Sequence, residues 1–245
     1  MEQRPVCLSV GGSDSCAGAG IQADLRVFKA LGVHGCSATT ALTAQNPEHV
    51  LSIEPSSITH FTAELEAVMH YYDVRCIKTG MLYDTAHLQA LIPWIDDIPL
   101  IVDPVLIASS GTYLFDKDAA RPAYEALLTH ATLWTPNLEE AAYFLGSEVN
   151  NSKQAAQALQ NKYQKAVLLK GGHGTTNVLQ DIYCDTSGNI LGFEHPKQSL
   201  SNAQIHGTGC RLAAAIAAYL ALNHDLSESV SLAIAWLQSD LNTRS

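Results

Sequence analysis

The chain has few basic residues, and they concentrate nowhere along it. Only 14 Lys and Arg stand against 24 Asp and Glu among 245 residues, which gives a formal net charge of -10. Binding of nucleic acid through its phosphates is typically signalled by runs of about five to eight basic residues, and none occurs here. We therefore expect no nucleic-acid partner. ATP is still compatible with this composition, because backbone N–H groups, one or two cations and Mg²⁺ can hold its phosphates.

Other sequence features are also missing, and each absence excludes a class of function. The six cysteines form no Cys-x-x-Cys pair, so neither a zinc site nor a redox dithiol is indicated. Scattered thiols are typical of a reducing compartment, so we expect a cytoplasmic protein. No apolar run reaches membrane-spanning length, and the amino terminus lacks the layout of a signal peptide. Because Gly-Lys-Ser/Thr does not occur, a Walker A loop is excluded.

Short apolar runs rich in β-branched residues alternate with amphipathic helical patterns along the chain. The predicted strands are 6–10, 35–41, 74–77, 100–102, 132–134 and 166–169. The predicted helices are 20–31, 57–71, 86–95, 116–129, 138–144, 152–160, 210–222 and 226–241. Near-continuous apolar strands between helices predict an α/β fold with a mainly parallel central sheet and helices on both faces.

A β-hairpin formed by 177–184 and 190–194 interrupts this alternation. The sequence contains no repeat, low-complexity stretch or linker, so we predict one domain spanning residues 1–245. In folds of this class the active site lies at the carboxyl ends of the parallel strands. The motifs below all follow predicted strands or open predicted helices.

The tetrapeptide Gly207-Thr208-Gly209-Cys210 is the most informative motif, and it leads into the strongly helix-favouring run 211–220. A glycine-rich turn that opens a helix leaves several backbone N–H groups unpaired at the positive end of the helix dipole, where an anion is favoured. Cys210 adds a thiol in the first turn, and we expect the same field to stabilise its thiolate. An anion site beside a polarised thiol indicates phosphoryl transfer.

The glycine-rich segment 11–20 follows the first strand. Residues 18–23 match the dinucleotide pattern G-x-G-x-x-G/A. We reject that interpretation, because the glycines stand well past the strand and no acidic residue follows near position 40 to bind a ribose. The segment is either a flexible loop before a helix or backbone wrapped closely around a small substrate. Asp24 is correspondingly either a solvated acid of the first helical turn or a substrate ligand.

Two residues near strand ends have the chemistry to recognise a flat ring. Gln45 carries both a donor and an acceptor, the equipment for reading the edge of a heteroaromatic ring, although a surface loop glutamine is the commoner explanation. Met81 has a side chain that packs well against a ring face, although a core methionine is the default.

Polar and charged side chains follow three further strands. Asp103 ends a buried strand, a costly position unless the carboxylate meets a cation or hydrogen bonds, and Mg²⁺ would suit it. Asn137 either caps the next helix or acts together with Glu140, three residues on, to hold metal-bound water beside a triphosphate. Lys170 comes directly after a strand and before glycines. We favour a lysine aimed at phosphates over an exposed turn lysine.

Taken in order, eight motifs resemble those of the hydroxymethylpyrimidine/phosphomethylpyrimidine kinases of thiamine biosynthesis, a family of the ribokinase-like superfamily. The likeness extends over nearly the whole chain and keeps the order and spacing of the motifs. Pyridoxal kinases, the nearest relatives, usually have Asp at the position of Cys210. The motifs are Gly12-Ser13-Asp14, GAGIQADL (18–25), ALTAQN (41–46), KTGM (78–81), DPV (103–105), TPNLEEA (135–141), KGGH (170–173) and HGTGC (206–210).

The resemblance implies a ribokinase-like αβα sandwich and an ATP-dependent kinase with Mg²⁺. Such an enzyme phosphorylates 4-amino-5-hydroxymethyl-2-methylpyrimidine and then its monophosphate, and it is expected to be a homodimer. The matching substrate positions are Ala19, Asp24, Gln45, Met81 and Val105. The matching nucleotide positions are Asn137, Lys170, Gly172 and Thr208, and the metal positions are Asp103 and Glu140. The catalytic positions are Gly207, Thr208, Gly209, Cys210 and Lys170.

Three departures from the family pattern are visible. Ser15-Cys16-Ala17 stands where Pro-Ser-Gly is usual, the segment 201–205 differs before His206, and Arg211 replaces a small hydroxyl residue. Arg211 is a candidate for an additional phosphate contact. The competing interpretations are a pyridoxal or pyridoxine kinase, a non-catalytic protein that binds a pyrimidine phosphate or pyridoxal phosphate, and, as a weaker third, a dinucleotide oxidoreductase.

Overall fold

The structure is a computed structural model that describes residues 4–108, 111–171, 178–196 and 201–243. Its strands are β1 (Val6–Asp14), β2 (His34–Gln45), β3 (Val50–Pro55), β4 (Val74–Thr79), β5 (Leu100–Val102), β6 (Leu133–Trp134), β7 (Ala166–Leu169), β8 (Val178–Cys184) and β9 (Ile190–Pro196). Its α-helices are α1 (Gly20–Ala30), α2 (Ile58–Met69), α3 (Thr85–Leu91), α4 (Lys117–Leu128), α5 (Leu138–Leu145), α6 (Ser152–Tyr163), α7 (Asn202–Ile205), α8 (Thr208–Ala221) and α9 (Leu226–Asn242).

All of these strands belong to one sheet, in the order β3-β2-β1-β4-β5-β6-β7-β8-β9. The six strands from β2 to β7 in this order are parallel to one another. The three remaining pairings, β2 with β3, β7 with β8 and β8 with β9, are antiparallel. The predicted α/β class with a mainly parallel sheet is therefore confirmed. The predicted hairpin is confirmed as well, because β8 and β9 pair at one edge of the sheet.

Alternate residues of the central strands bury themselves in two separate cores. On β1, Leu8 packs in the core that contains residues of α2 to α6, whereas its neighbour Cys7 packs in the core that contains residues of α1, α8 and α9. Ile77 and Cys76 divide between the two cores in the same way on β4. Side chains of successive strand residues point to opposite faces, so helices cover both faces of the sheet.

Two of the long helices begin without the side-chain cap that the others have. Within the described residues, α2 to α6 and α9 each begin with a Ser, Asp or Asn whose side chain accepts a backbone N–H of the first turn. Helices α1 and α8 begin at Ala19 and Gly207 without a side-chain cap. Their first N–H groups are therefore left to bind something else.

The sequence patterns missed parts of the amino-terminal half of the sheet. No strand was predicted at 50–55, yet β3 pairs with the far end of β2. β3 is largely exposed, so it lacks the apolar run that marks the buried strands. Strand β1 also continues to Asp14, because Gly11 and Ser13 pair with β2 around a register shift.

None of the described helices is both long and apolar enough to cross a bilayer.

Candidate active site

A cavity of about 520 Å³ lies at the carboxyl ends of the parallel strands and between the starts of α1 and α8. It gathers almost all of the predicted site residues. Gly172 lies outside the described residues, so the structure says nothing of it. The predicted residues that line the cavity are Ala19, Asp24, Gln45, Met81, Asp103, Val105, Asn137, Glu140, Lys170, Gly207, Thr208, Gly209 and Cys210.

The start of α8 faces this cavity. Gly207 to Cys210 are all partly exposed and all line it, so the turn is not sealed inside the core. The first intrahelical bond of the segment runs from the Arg211 N–H to the Gly207 carbonyl oxygen. The N–H groups of Thr208, Gly209 and Cys210 precede it and have no acceptor within the helix. This is the geometry that the predicted anion site requires, and these three N–H groups are called the cradle below.

Glycine is required at the start of this cradle because another backbone segment passes directly beside it. Gly207 has a φ of 77°, in the left-handed region. A Cβ there would overlap the Gly18 carbonyl oxygen and lie 2.8 Å from the Ala19 Cα. The segment before α1 therefore packs on the cradle itself, which favours the interpretation of close-wrapped backbone over that of a flexible loop.

Asp14 and His206 hold these two segments together, although the sequence had indicated a role for neither residue. The Asp14 carboxylate accepts the N–H groups of Cys16 (2.9 Å) and Ala19 (2.7 Å) and lies 3.0 Å from Nε2 of His206. Burial raises the pKa of Asp14, but these hydrogen bonds outweigh it and lower the pKa below its usual value. The available sequence signal was an acidic residue inside the glycine-rich segment 11–20, where a carboxylate can accept backbone N–H groups.

The charge state of Cys210 differs from the prediction. We expected the helix field to favour the thiolate, but burial raises the pKa of Cys210, and Asp24 and Asp103 add to the rise. The Lys78 ammonium and the N–H of Gly20, which donates to the sulfur, act in the opposite direction. The expectation was wrong mainly because burial disfavours the charged thiolate, and the two acidic residues, remote in sequence, add to this effect.

The interpretation of Asp24 as a solvated acid is wrong, whereas its role as a substrate ligand stays a prediction. It is 1% exposed and lies opposite Lys78, which is also 1% exposed. The Lys78 Nζ donates to both carboxylate oxygens at 3.0 and 2.8 Å, and the Ser9 hydroxyl donates to one of them at 2.6 Å. Lys78 received no role from the sequence, although a lysine inside a buried strand requires a partner.

Asp103 and Lys170 form a second ion pair in the lining of the cavity. Their Oδ1 and Nζ atoms are 2.6 Å apart, and Thr135 donates to the same oxygen at 3.1 Å. The exposed-lysine interpretation is therefore wrong, and the cation that Asp103 requires is Lys170. A Cβ placed on Gly209 would lie 3.2 Å from the Lys170 Nζ, so this ammonium stands beside the anion cradle.

Asn137 and Glu140 form a capping box at the start of α5. The Asn137 side chain accepts the Glu140 N–H, and the Glu140 carboxylate accepts the Asn137 N–H, both at 2.8 Å. The helix-capping interpretation of Asn137 is thus confirmed, while both residues also line the cavity. Burial raises the pKa of Glu140 to about 7; Lys170 opposes this rise and Asp103 adds to it.

The remaining predicted residues give the cavity an apolar wall and a polar edge. Met81 belongs to a small buried cluster that is separate from the two main cores, and Val105 packs against it. A Cβ at Gly12 would stand only 2.9 Å from the Met81 sulfur, so glycine makes room for this wall. Gln45 ends β2, and its side-chain amide makes no hydrogen bond to the described residues.

Arg211 does not reach the cavity, so the predicted phosphate contact is wrong. Only 2% of its surface is exposed. Its guanidinium bonds to Asp240 of α9 at 2.6 Å and to the Gln204 carbonyl oxygen at 3.2 Å. One position after Cys210, the helix has turned the side chain away from the cradle and toward α9.

Comparisons with known proteins point to one enzyme family. The family model for phosphomethylpyrimidine kinase matches residues 14–245. A hydroxymethylpyrimidine/phosphomethylpyrimidine kinase of Rhizobium meliloti (strain 1021) is 39% identical over 243 residues, which covers 97% of this chain and 90% of that protein.

Solved structures give the same result for the fold. Phosphomethylpyrimidine kinase from Clostridium difficile 630 superposes with a TM-score of 0.82 at 31% identity, covering 97% of this chain and 100% of the other. Pyridoxal kinase from Staphylococcus aureus in complex with AMP-PCP and pyridoxal superposes with a TM-score of 0.83 at 30% identity, covering 97% and 88%.

Proposed function

Because this chain belongs to the phosphomethylpyrimidine kinase family, we propose that it transfers the γ-phosphoryl group of ATP to 4-amino-5-hydroxymethyl-2-methylpyrimidine. The same site then phosphorylates the resulting monophosphate to the diphosphate, in thiamine biosynthesis. The observation that carries the proposal is the uncapped start of α8, which turns the N–H groups of Thr208, Gly209 and Cys210 toward a cavity of about 520 Å³.

The apolar wall and polar edge of the cavity support the pyrimidine as substrate. Met81 and Val105 offer a flat apolar surface for the ring, and the amide of Gln45 suits ring nitrogens and an exocyclic amino group. Ala19 brings backbone close to the cradle, so a ring held against these residues presents its hydroxymethyl group to Cys210. In this arrangement the acceptor hydroxyl and the phosphoryl group would lie side by side.

The other half of the cavity supports ATP with Mg²⁺. The described lining holds four carboxylates, those of Asp24, Asp103, Glu140 and Asp181, against the two lysines Lys78 and Lys170. Burial, together with the nearby Asp103 carboxylate, raises the pKa of Glu140 to about 7 although Lys170 opposes the rise, so a further cation beside Glu140 would stabilise its carboxylate. A divalent cation suits such an oxygen donor set. Asp103 and Glu140 would hold it, with Asn137 beside them, and when bound it would supply charge stabilisation for the phosphates.

Transfer of a phosphoryl group depends mainly on positioning and charge stabilisation. The N–H groups of the cradle donate to the migrating phosphoryl oxygens, as in an oxyanion hole, and Lys170 neutralises charge on the leaving side. In the first step the substrate hydroxyl loses a proton, which the Cys210 sulfur accepts as a thiolate. In the second step the nucleophile is a phosphate oxygen that is already anionic near neutral pH, so no base is needed.

This difference between the two steps gives the test. Cys210→Ala should slow phosphorylation of the hydroxymethyl substrate by about a hundredfold or more, the usual range for a general base, and slow phosphorylation of the monophosphate much less. Cys16→Ser, at an exposed cysteine, is the matched control and should leave both steps within about twofold. Separate assays of pyrimidine-dependent ADP release measure each step. Equal losses in the Cys210 variant would assign the thiol a structural role, and absence of any pyrimidine-dependent ADP release would overturn the kinase proposal.

A pyridoxal or pyridoxine kinase is the second candidate. The likeness to a pyridoxal kinase solved with AMP-PCP and pyridoxal favours it, since the same pocket would hold another ring that bears a hydroxymethyl group. Comparing kcat/KM for the pyrimidine and pyridoxine alcohols decides between the two. A non-catalytic binding protein would bind the ring without releasing ADP.

Three further properties belong to the proposal. We expect a single kinase domain across residues 1–245, a homodimer and a cytoplasmic location. The six free cysteines are compatible with a reducing compartment. Light scattering coupled to gel filtration measures the oligomeric state.

A further inference from the structure

The buried pair formed by Lys78 and Asp24 has no evident structural explanation. Both side chains are 1% exposed, and the pair lies in the lining of the cavity. Removing two charges from water costs about as much as their attraction returns, and apolar side chains of similar volume often stabilise a core as well or better. A buried ion pair in an active-site wall is better explained by what its charges do there.

The pair lies next to the Cys210 sulfur through a short chain of contacts. The Gly20 N–H donates to the sulfur, and Asp24 follows one turn later on the same face of α1. Asp24 in turn holds the Lys78 Nζ, with Ser9 bonded to the same carboxylate. A Cβ on Gly80 would lie 3.1 Å from that Nζ, so the ammonium packs directly beside this glycine in the wall of the cavity.

Four charged groups act on the sulfur. Lys78 comes from β4, Asp24 from α1, Asp103 from the end of β5, and Lys170 from the end of β7. Each lysine is bonded to one of the acids, Lys170 to Asp103 and Lys78 to Asp24, and both lysines line the cavity. The two acids raise the pKa of the thiol and Lys78 lowers it.

We propose that Lys78 is the positioning cation that stabilises negative charge on the Cys210 sulfur, and that Asp24, supported by Ser9, holds the Lys78 ammonium at that place and limits its effect. The inference extends the proposed function, because a charged sulfur is what the first phosphorylation step requires. It concerns a property of the substrate-free protein, however, so it can be tested without ATP or pyrimidine.

The pair has two members of opposite charge, so the two single substitutions should change the thiol in opposite directions. Lys78→Gln removes the positive charge and should make the thiolate rarer. Asp24→Asn removes the negative charge, keeps the oxygen that accepts from Lys78, and should make the thiolate more abundant. If the two residues merely supported the fold, either substitution would disorder the site. The thiolate fraction would then change in the same direction in both variants.

Alkylation of Cys210 by iodoacetamide measures this directly, since the thiolate attacks the methylene carbon, an S–C bond forms and iodide leaves. Cys210 is partly exposed, whereas Cys7, Cys36, Cys76 and Cys184 are buried, so the assay uses a Cys16→Ser background and mass spectrometry of the Cys210 peptide. The rate at pH 8 is divided by the plateau rate at high pH, which removes differences in access. We expect this ratio to fall about tenfold in Lys78→Gln and to rise about threefold in Asp24→Asn.

Two further variants complete the design. Lys29→Gln, at an exposed lysine on the same helix as Asp24, should leave the ratio unchanged, and Asp24→Asn with Lys78→Gln should return it toward the parent value. Changes of the same sign in the two single variants, or no change, would overturn the proposal. Should Lys78→Gln fail to fold, Asp24→Asn decides: a faster reaction supports the proposal, and an equal or slower one overturns it. Loss of kinase activity alone would bear on the proposed function and leave this result standing.

Discussion

Replacing Gly207 by alanine would force two backbone segments of the active site apart. The φ of 77° at this position costs an alanine about 1–2 kcal/mol relative to glycine. The added Cβ would also overlap the Gly18 carbonyl oxygen and approach the Ala19 Cα to 2.8 Å. Neither neighbour is a flexible side chain, so the overlap adds about 1–3 kcal/mol, as other overpacked sites do. The expected loss of unfolding free energy is therefore about 2–5 kcal/mol.

Gly32, directly after α1, is the matched control. Its φ is 80°, close to that of Gly207, but a Cβ there would meet nothing within 4 Å. Gly32→Ala should therefore cost only the conformational part, about 1–2 kcal/mol. Urea-induced unfolding followed by circular dichroism compares the two variants, and their difference isolates the packing of the cradle against the segment before α1.

Kinetics should separate the two variants more clearly than stability does. Moving the cradle by about 1 Å can cost on the order of a hundredfold in rate, so Gly207→Ala should lose at least that much in kcat/KM. Gly32→Ala should stay within about twofold. If the two variants lost equal stability and Gly207→Ala kept its activity, the inference that Gly18 and Ala19 pack on the cradle would be wrong.

Two predictions concern the segment that joins β1 to α1. Ala17, which stands where the family usually has glycine, has a φ of 60°. Ala17→Gly should therefore raise the free energy of unfolding by about 1 kcal/mol. An unchanged Tm would show that the backbone is not strained at this position. Asp14→Asn should cost about 1–3 kcal/mol near pH 7. The pKa of Asp14 is lowered in the folded protein, so its stabilisation is present above the unfolded pKa and disappears as the pH falls through the folded value. The two proteins should therefore converge in urea titrations on the acid side, and a constant difference at every pH would contradict the assignment.

Local chemistry explains why much of this protein was predictable. The hydrophobic pattern of each segment reflects which of its faces are buried. The alternation of apolar strands with amphipathic helices therefore predicted the parallel sheet with helices on both faces. Gly207 to Cys210 predicted an uncapped helix start, because the conformational effects of glycine and of helix-favouring residues extend over only a few residues. Strand β3 escaped prediction because an exposed edge strand carries no such pattern.

The partners and protonation states of the charged residues depended on the tertiary structure. Lys78 meets Asp24 across 54 positions, and Lys170 meets Asp103 across 67. Arg211, adjacent to Cys210 in sequence, binds Asp240 on another helix instead of a phosphate. The sequence determined which groups stand at strand ends and helix starts, because those positions follow from local periodicity. Only the folded chain decided which charges face each other, and hence that the Cys210 thiol has a raised pKa, because Coulomb interactions and burial depend on distances through space.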